Sequence, residues 1–111
     1  MKENEIQKQC LDYLEADGYF VWRNHVQGVK VGRARIANPA AGSPDILAIK
    51  GGKIFCIEVK TPTGKLSPHQ YTWLEKAHKH GAVSMVVRSV EDLQYCLEAL
   101  PANKVPFDLM M

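Results

Sequence analysis

Asp45, Glu58 and Lys60 are the residues whose types and spacing could do chemistry. Asp45 opens the run Asp45-Ile46-Leu47-Ala48-Ile49, and Glu58 and Lys60 close Lys53-Ile54-Phe55-Cys56-Ile57-Glu58-Val59-Lys60. Both runs are β-rich, and Gly51-Gly52 between them suits a tight hairpin turn. Counting outward from a two-residue turn pairs Gly51 with Gly52, and therefore Asp45 with Glu58. The two carboxylates then face each other with Cβ atoms about 5 Å apart. Glu58 and Lys60 share one face at about 6 to 7 Å, while Phe55, Ile57 and Val59 point to the other.

Carboxylates held so close repel each other, and a bound divalent cation removes the conflict. Oxygen donors without thiolates favour a hard ion, Mg²⁺ or Mn²⁺ over Zn²⁺. Such an ion polarises a phosphodiester and activates water, and Lys60 could stabilise the developing charge or orient the attacking water. A surface strand whose Glu58 and Lys60 simply alternate with core residues, with Asp45 pairing a basic neighbour, would give the same spacing. A bulge in place of the two-residue turn would break the register.

The elements that must position these groups can be read along the chain. Glu3 to Asp17 carries Ile6, Cys10, Leu11 and Leu14 at the spacing of one helical face, with Gly18 as a C-terminal stop. At about 100° per residue, Glu3 falls on the stripe of Ile6, Cys10 and Leu14, and Glu5 points to the opposite side. Glu3 is therefore the candidate third carboxylate, with Gln7 one turn later; water at a frayed helix end would satisfy it equally well. Tyr19-Phe20-Val21-Trp22 reads as a strand. Residues 26–42, rich in Gly, Arg and Ala, read as a long loop or a mobile hairpin crossing a basic surface.

Ser67 suits an N-cap and Pro68 a first helical residue, for a helix to about His80 closed by Gly81. Its amide-rich start favours an anion such as a phosphate, and Gln70 in the first turn could reach the site. A plain cap followed by a surface Gln, with an unremarkable His69, is the simpler alternative. Ala82 to Val87 is expected to be a buried strand. Ser89 caps a last helix carrying Val90, Leu93, Cys96, Leu97 and Leu100, which Pro101 ends. The order αβββαβα points to an α/β domain with a central mixed sheet flanked by helices.

Length and composition set the frame. The chain has 111 residues and a formal charge of +2, which fits one ordinary globular domain over 1–111 and excludes disordered and fibrous classes. The net charge says little about partners, but its distribution says more. Between Arg23 and Lys65 lie Arg23, Lys30, Arg33, Arg35, Lys50, Lys53, Lys60 and Lys65, against only Asp45 and Glu58. Such one-sided clustering suits phosphate binding, and a solvated loop face would look the same. Arg23, Lys30, Arg33, Arg35 and Lys65, with Ser67 at a helix start, are the candidate nucleic-acid contacts.

Cys10, Cys56 and Cys96 are odd in number, widely spaced and set in apolar stretches, as expected of reduced core thiols rather than a disulfide framework. Zinc-finger spacings are absent from the Cys and His positions. The polar start, Met-Lys-Glu-Asn-Glu, differs from a signal peptide, and no apolar run approaches the roughly 20 residues of a membrane span. A cytoplasmic location is expected.

Four ordered motifs carry a resemblance: Glu3-Asn4-Glu5-Ile6-Gln7, Ser43-Pro44-Asp45, Ile57-Glu58-Val59-Lys60 and Leu66-Ser67-Pro68-His69-Gln70. With them, nearly the whole chain resembles the VRR-NUC (virus-type replication-repair nuclease) domain, a branch of the PD-(D/E)XK superfamily. The resemblance implies a restriction-endonuclease-like fold and a metal held by Asp45, Glu58 and the Val59 carbonyl. It implies Lys60 as the catalytic lysine, with Glu3 and Gln70 in support. It also implies a stand-alone phage or bacterial form, similar to Holliday-junction resolvases that work as homodimers on branched DNA. A flap or duplex nuclease of the same fold, and a DNA-binding module without activity, are the competing readings.

Overall fold

The computed structural model describes residues 1–24, 29–31, 34–36 and 42–99. Helix α1 spans Glu3–Ala16, followed by strands β1 (Phe20–Arg23), β2 (Val29–Val31), β3 (Ala34–Ile36), β4 (Ile46–Lys50) and β5 (Lys53–Val59). Helix α2 (Pro68–Lys79), strand β6 (Val83–Val87) and helix α3 (Val90–Ala99) complete the order. The main sheet is four-stranded, β1-β4-β5-β6, antiparallel except for the parallel pair β5 and β6. A parallel neighbour needs a crossover connection, and α2 supplies it.

The predicted αβββαβα order is present, with one addition. Within the segment read as a loop or hairpin, β2 and β3 form a separate antiparallel ribbon that pairs Val29 with Ile36 and Lys30 with Arg35. Arg33 lies outside the described residues, as do Leu100, Pro101 and the tail.

The sheet separates two apolar layers. On one face Ile6, Cys10 and Leu14 of α1 and Leu93 and Cys96 of α3 pack on Ile46, Ala48, Phe55, Ile57 and Val59. On the other, Leu74 of α2 packs on Cys56 and Val86. Burying each large aliphatic side chain contributes about 1.5–3 kcal/mol. Strand β5 is thus covered on both sides, which explains its unbroken burial from Phe55 to Val59. The three cysteines are free and buried, and burial pushes their thiols up, to about 12 for Cys10 and about 11 for Cys56 and Cys96.

The hairpin forms with the expected register. Ile46 pairs with Ile57, and the ladder runs without a bulge to Lys50 and Lys53. Gly51 and Gly52 close it with φ of 59° and 77°, a conformation that costs side-chain-bearing residues and that glycine adopts freely. Among the described residues no helix is long and apolar enough to cross a membrane.

Candidate active site

Asp45 sits immediately before β4, at the position facing Glu58 when the ladder is continued one residue past Ile46 and Ile57. Its carboxylate accepts a hydrogen bond from the Val59 main-chain N–H at 2.9 Å, so Asp45 grips the strand that carries Glu58. Asn24 holds the approach to it. The Asn24 amide donates to Ser43 Oγ and the Pro44 carbonyl, both at 2.9 Å, and its main-chain N–H donates to the Asp45 carbonyl at 2.7 Å. Gly42, with φ of 89°, packs so tightly on the first turn of α2 that an added Cβ would lie 2.5 Å from the His69 carbonyl oxygen.

Glu58 is only 1% exposed. Gln70 Nε2 donates to Glu58 Oε2 at 2.8 Å, and Lys60 Nζ lies 3.6 Å from the same oxygen. The other oxygen, Oε1, is buried with no hydrogen-bond partner among the described residues. Burial, reinforced by the Asp45 charge and more weakly by Glu3, raises the Glu58 carboxyl to about 8; Lys60 and the Asp45 main chain pull it down without prevailing. A buried carboxyl in this state either carries a proton or meets a cation. The alternative of an exposed strand with idle charges does not describe Glu58.

Gln70 is fixed by the start of its helix. Ser67 Oγ accepts from the Gln70 N–H at 3.2 Å, and the Ser67 N–H donates to Gln70 Oε1 at 2.9 Å, a reciprocal cap. The Gln70 side chain therefore joins the helix terminus to Glu58. Ser67 hydroxyl is engaged in that cap. Arg88, absent from the sequence reading, braces the other flank. Its guanidinium donates to the carbonyls of Thr61 and Gly64, both at 2.6 Å, which fixes the turn that follows Lys60. Asn24 was missed for the same reason as Arg88: each is placed by strand pairing (β1 with β4, β5 with β6) that no local motif encodes.

The structure brings Asp45, Glu58, Val59, Lys60 and Gln70 together. Glu3 opens α1 on the opposite layer, and its charge acts on Glu58; Glu5 instead accepts from the Lys2 main-chain N–H at 3.4 Å. Arg23 ends β1 beside this corner, its Nε buried without a partner among the described residues, and Lys65 is exposed near Ser67. Lys50 serves the fold, donating to the Asp17 carbonyl and lying 4.7 Å from the centre of the Tyr19 ring.

Metal fit rests on the donor set. Among the described residues no three His, Cys, Asp or Glu side chains gather into a group able to hold an ion alone. Two opposed carboxylates, with Glu58 Oε1 buried and unpartnered among the described residues, beside a main-chain carbonyl at Val59, nevertheless suit a hard divalent ion completed by water or phosphate oxygens.

A mixed sheet between helix layers with this acidic pair, lysine and glutamine defines a restriction-endonuclease-like nuclease domain. The profile described as "VRR-NUC domain" matches residues 2–91, and the chain belongs to the VRR-NUC family. A solved structure described as a VRR_NUC domain is similar at 28% identity with a TM-score of 0.64, covering 86% of this chain and 94% of that one. The Holliday junction resolvase Hjc of Archaeoglobus fulgidus is similar at 26% identity with a TM-score of 0.50, covering 75% of this chain and 64% of the resolvase. A search of curated proteins gave no match.

Proposed function

We propose that the protein is a Mg²⁺- or Mn²⁺-dependent, structure-selective DNA endonuclease that resolves four-way junctions as a homodimer. The observation that carries the reading is Glu58: a fully buried carboxylate opposed to Asp45, held by Gln70, next to Lys60, with one oxygen unpartnered among the described residues. The likeness to a Holliday junction resolvase supports the choice of junction. A dimer has a physical motive, because paired incisions across a two-fold substrate suit a two-fold enzyme. The chain acts as one domain over 1–111, in the cytoplasm of a bacterium or of a phage-infected cell.

Asp45, Glu58 and the Val59 carbonyl would hold the ion, joined by Glu3, and the bound ion would neutralise the phosphate and lower the pKa of a water. The protein's own groups do the rest. Gln70 fixes the rotamer of Glu58 through its amide, so the carboxylate is preorganised before substrate arrives. Lys60, with a side chain 13% exposed, donates from the edge of the site to the phosphate as negative charge grows during hydrolysis. Water adds to phosphorus, the ester oxygen leaves, and a proton from water ends on that leaving oxygen. Arg23, Lys30, Arg33, Arg35 and Lys65 contact the backbone of the DNA, and the start of α2 receives a phosphate.

Incubating the protein with labelled four-way junction, flap and linear duplex in Mg²⁺ tests the substrate assignment. Symmetric paired nicks in the junction support it. Preferential cutting of flap or duplex would replace it with the competing nuclease, and binding without cutting would leave a DNA-binding module.

A further inference from the structure

The face of the sheet that holds Glu58 is only partly roofed. Helix α2 covers Cys56 and Val86 through Leu74, while among the described residues no helix covers the part built by β1 and β4. The strand register lays two apolar rows across that part. Trp22, Leu47 and Cys56 form one row, and Phe20, Ile49 and Ile54 the next. Phe20 is 68%, Ile54 48% and Trp22 38% exposed, and the Phe20 and Trp22 rings lie 5.3 Å apart with their planes inclined at 43°. Asp45 and Glu58 lie on the same face two residues beyond the tryptophan row, about 6 to 7 Å away.

The far wall is α2, where Trp73, Ala77 and His80 line a groove of about 560 Å³ with Trp22, Leu47 and Ile54. Gln70 and Trp73 are three residues apart on one helix, so the groove begins where the acidic pair ends. Among the described residues its lining carries the cation Lys53, the imidazole of His80 and no carboxylate, and Lys76 borders the hollow beside it. Two indoles and an exposed phenyl ring, cations at the rim and no acid in the lining are the combination that holds unpaired bases. Rings accept any base by stacking, and cations follow the backbone.

We infer that this groove binds an unpaired nucleotide segment of the nucleic-acid substrate and leads it to the Asp45–Glu58 pair. The inference rests on the nuclease reading and adds to it that bases unpaired at the branch point of the junction are held beside the cut. Both tryptophans of the chain line the groove, so intrinsic fluorescence reports on it directly.

The test is titration of the protein in EDTA with single-stranded oligothymidylate and, separately, with duplex of the same length. Oligothymidylate is expected to quench the tryptophans. Trp22→Ala is expected to weaken its binding roughly five- to a hundredfold and to leave duplex binding within about twofold. Trp22→Phe should restore most of the affinity. Lys53→Glu, at an exposed position where folding is not in question, should weaken oligothymidylate binding severalfold. Unchanged oligothymidylate affinity in both Trp22→Ala and Lys53→Glu would overturn the inference. So would sedimentation showing that Trp22→Ala turns a wild-type dimer into a monomer, since a second copy would then be the occupant. Because binding is read without cleavage, inactivity of the wild type on DNA would strike the nuclease reading alone.

Discussion

Gln70 and Glu58 are joined by a 2.8 Å hydrogen bond from the first turn of α2 to a carboxylate buried against the sheet. The same glutamine closes the cap with Ser67 through its other amide atom. Gln70→Ala therefore loses a cap and leaves a buried acceptor short of a donor, at about 1–3 kcal/mol. Ser67→Ala loses only the cap, at about 1 kcal/mol. Thermal unfolding should rank them in that order, and single-turnover cleavage should fall roughly tenfold or more in Gln70→Ala alone. Equal cleavage by the two variants would mean that Gln70 acts only as a cap.

The raised Glu58 carboxyl makes stability depend on pH. Its folded value of about 8 lies above the ordinary 4.5, so the folded protein holds the proton more tightly than the unfolded chain. The contribution is full below about pH 4.5 and is lost as pH rises towards 8. Burial sets this balance first, followed by the Asp45 charge, Lys60, the Asp45 main chain and Glu3. In EDTA the wild type should lose stability across that window, and Glu58→Gln should flatten the loss. Added Mg²⁺ should stabilise the wild type most at the alkaline end, where the carboxylate is already free of its proton. Denaturation midpoints at pH 5 and pH 8 check both statements.

Much of this site is legible in the sequence because it depends on local rules. Gly51-Gly52 dictates a two-residue turn, and the register of Asp45 against Glu58 follows by counting. Ser67-Pro68 announces a capped helix whose first turn carries Gln70. The positions of Asn24 and Arg88 are not legible. Both depend on which strand lies next to which, and the neighbours are far apart in the chain. The double burial of β5 is hidden for a similar reason: alternation distinguishes its faces, but only the crossover through α2 makes the Cys56 and Glu58 face an interior one.

Gly42 is where the segment leading to Asp45 touches α2. Its positive φ and the 2.5 Å approach of any Cβ to the His69 carbonyl leave no room for a side chain. Gly42→Ala should cost about 1–3 kcal/mol and should disturb Asp45 as the chain shifts. A calorimetric midpoint equal to that of wild type would show that the contact is not made.

The basic residues of the β2–β3 ribbon should act through phosphates. Lys30 and Arg35 are paired across it. Removing either charge, as Lys30→Ala or Arg35→Ala, should weaken binding to all DNA sequences alike and reduce the slope of log affinity against log salt by about 1. A sequence-dependent loss with an unchanged slope would place them at the bases.

Lys60→Ala should lower cleavage at least about a hundredfold, the scale for removing one donor from a developing oxyanion, and should leave DNA affinity within a few-fold. Undiminished cutting would assign the charge stabilisation to another group.

In the proposed function the Asp45 and Glu58 carboxylates hold a divalent ion for DNA hydrolysis. The most direct measurement is cleavage of a labelled four-way junction by the wild type in Mg²⁺, in Mn²⁺ and in EDTA, with Glu58→Gln in parallel. Cutting in either metal, abolished by EDTA and absent from Glu58→Gln, is the predicted result. Cutting that persists in EDTA, or that Glu58→Gln retains, would contradict it.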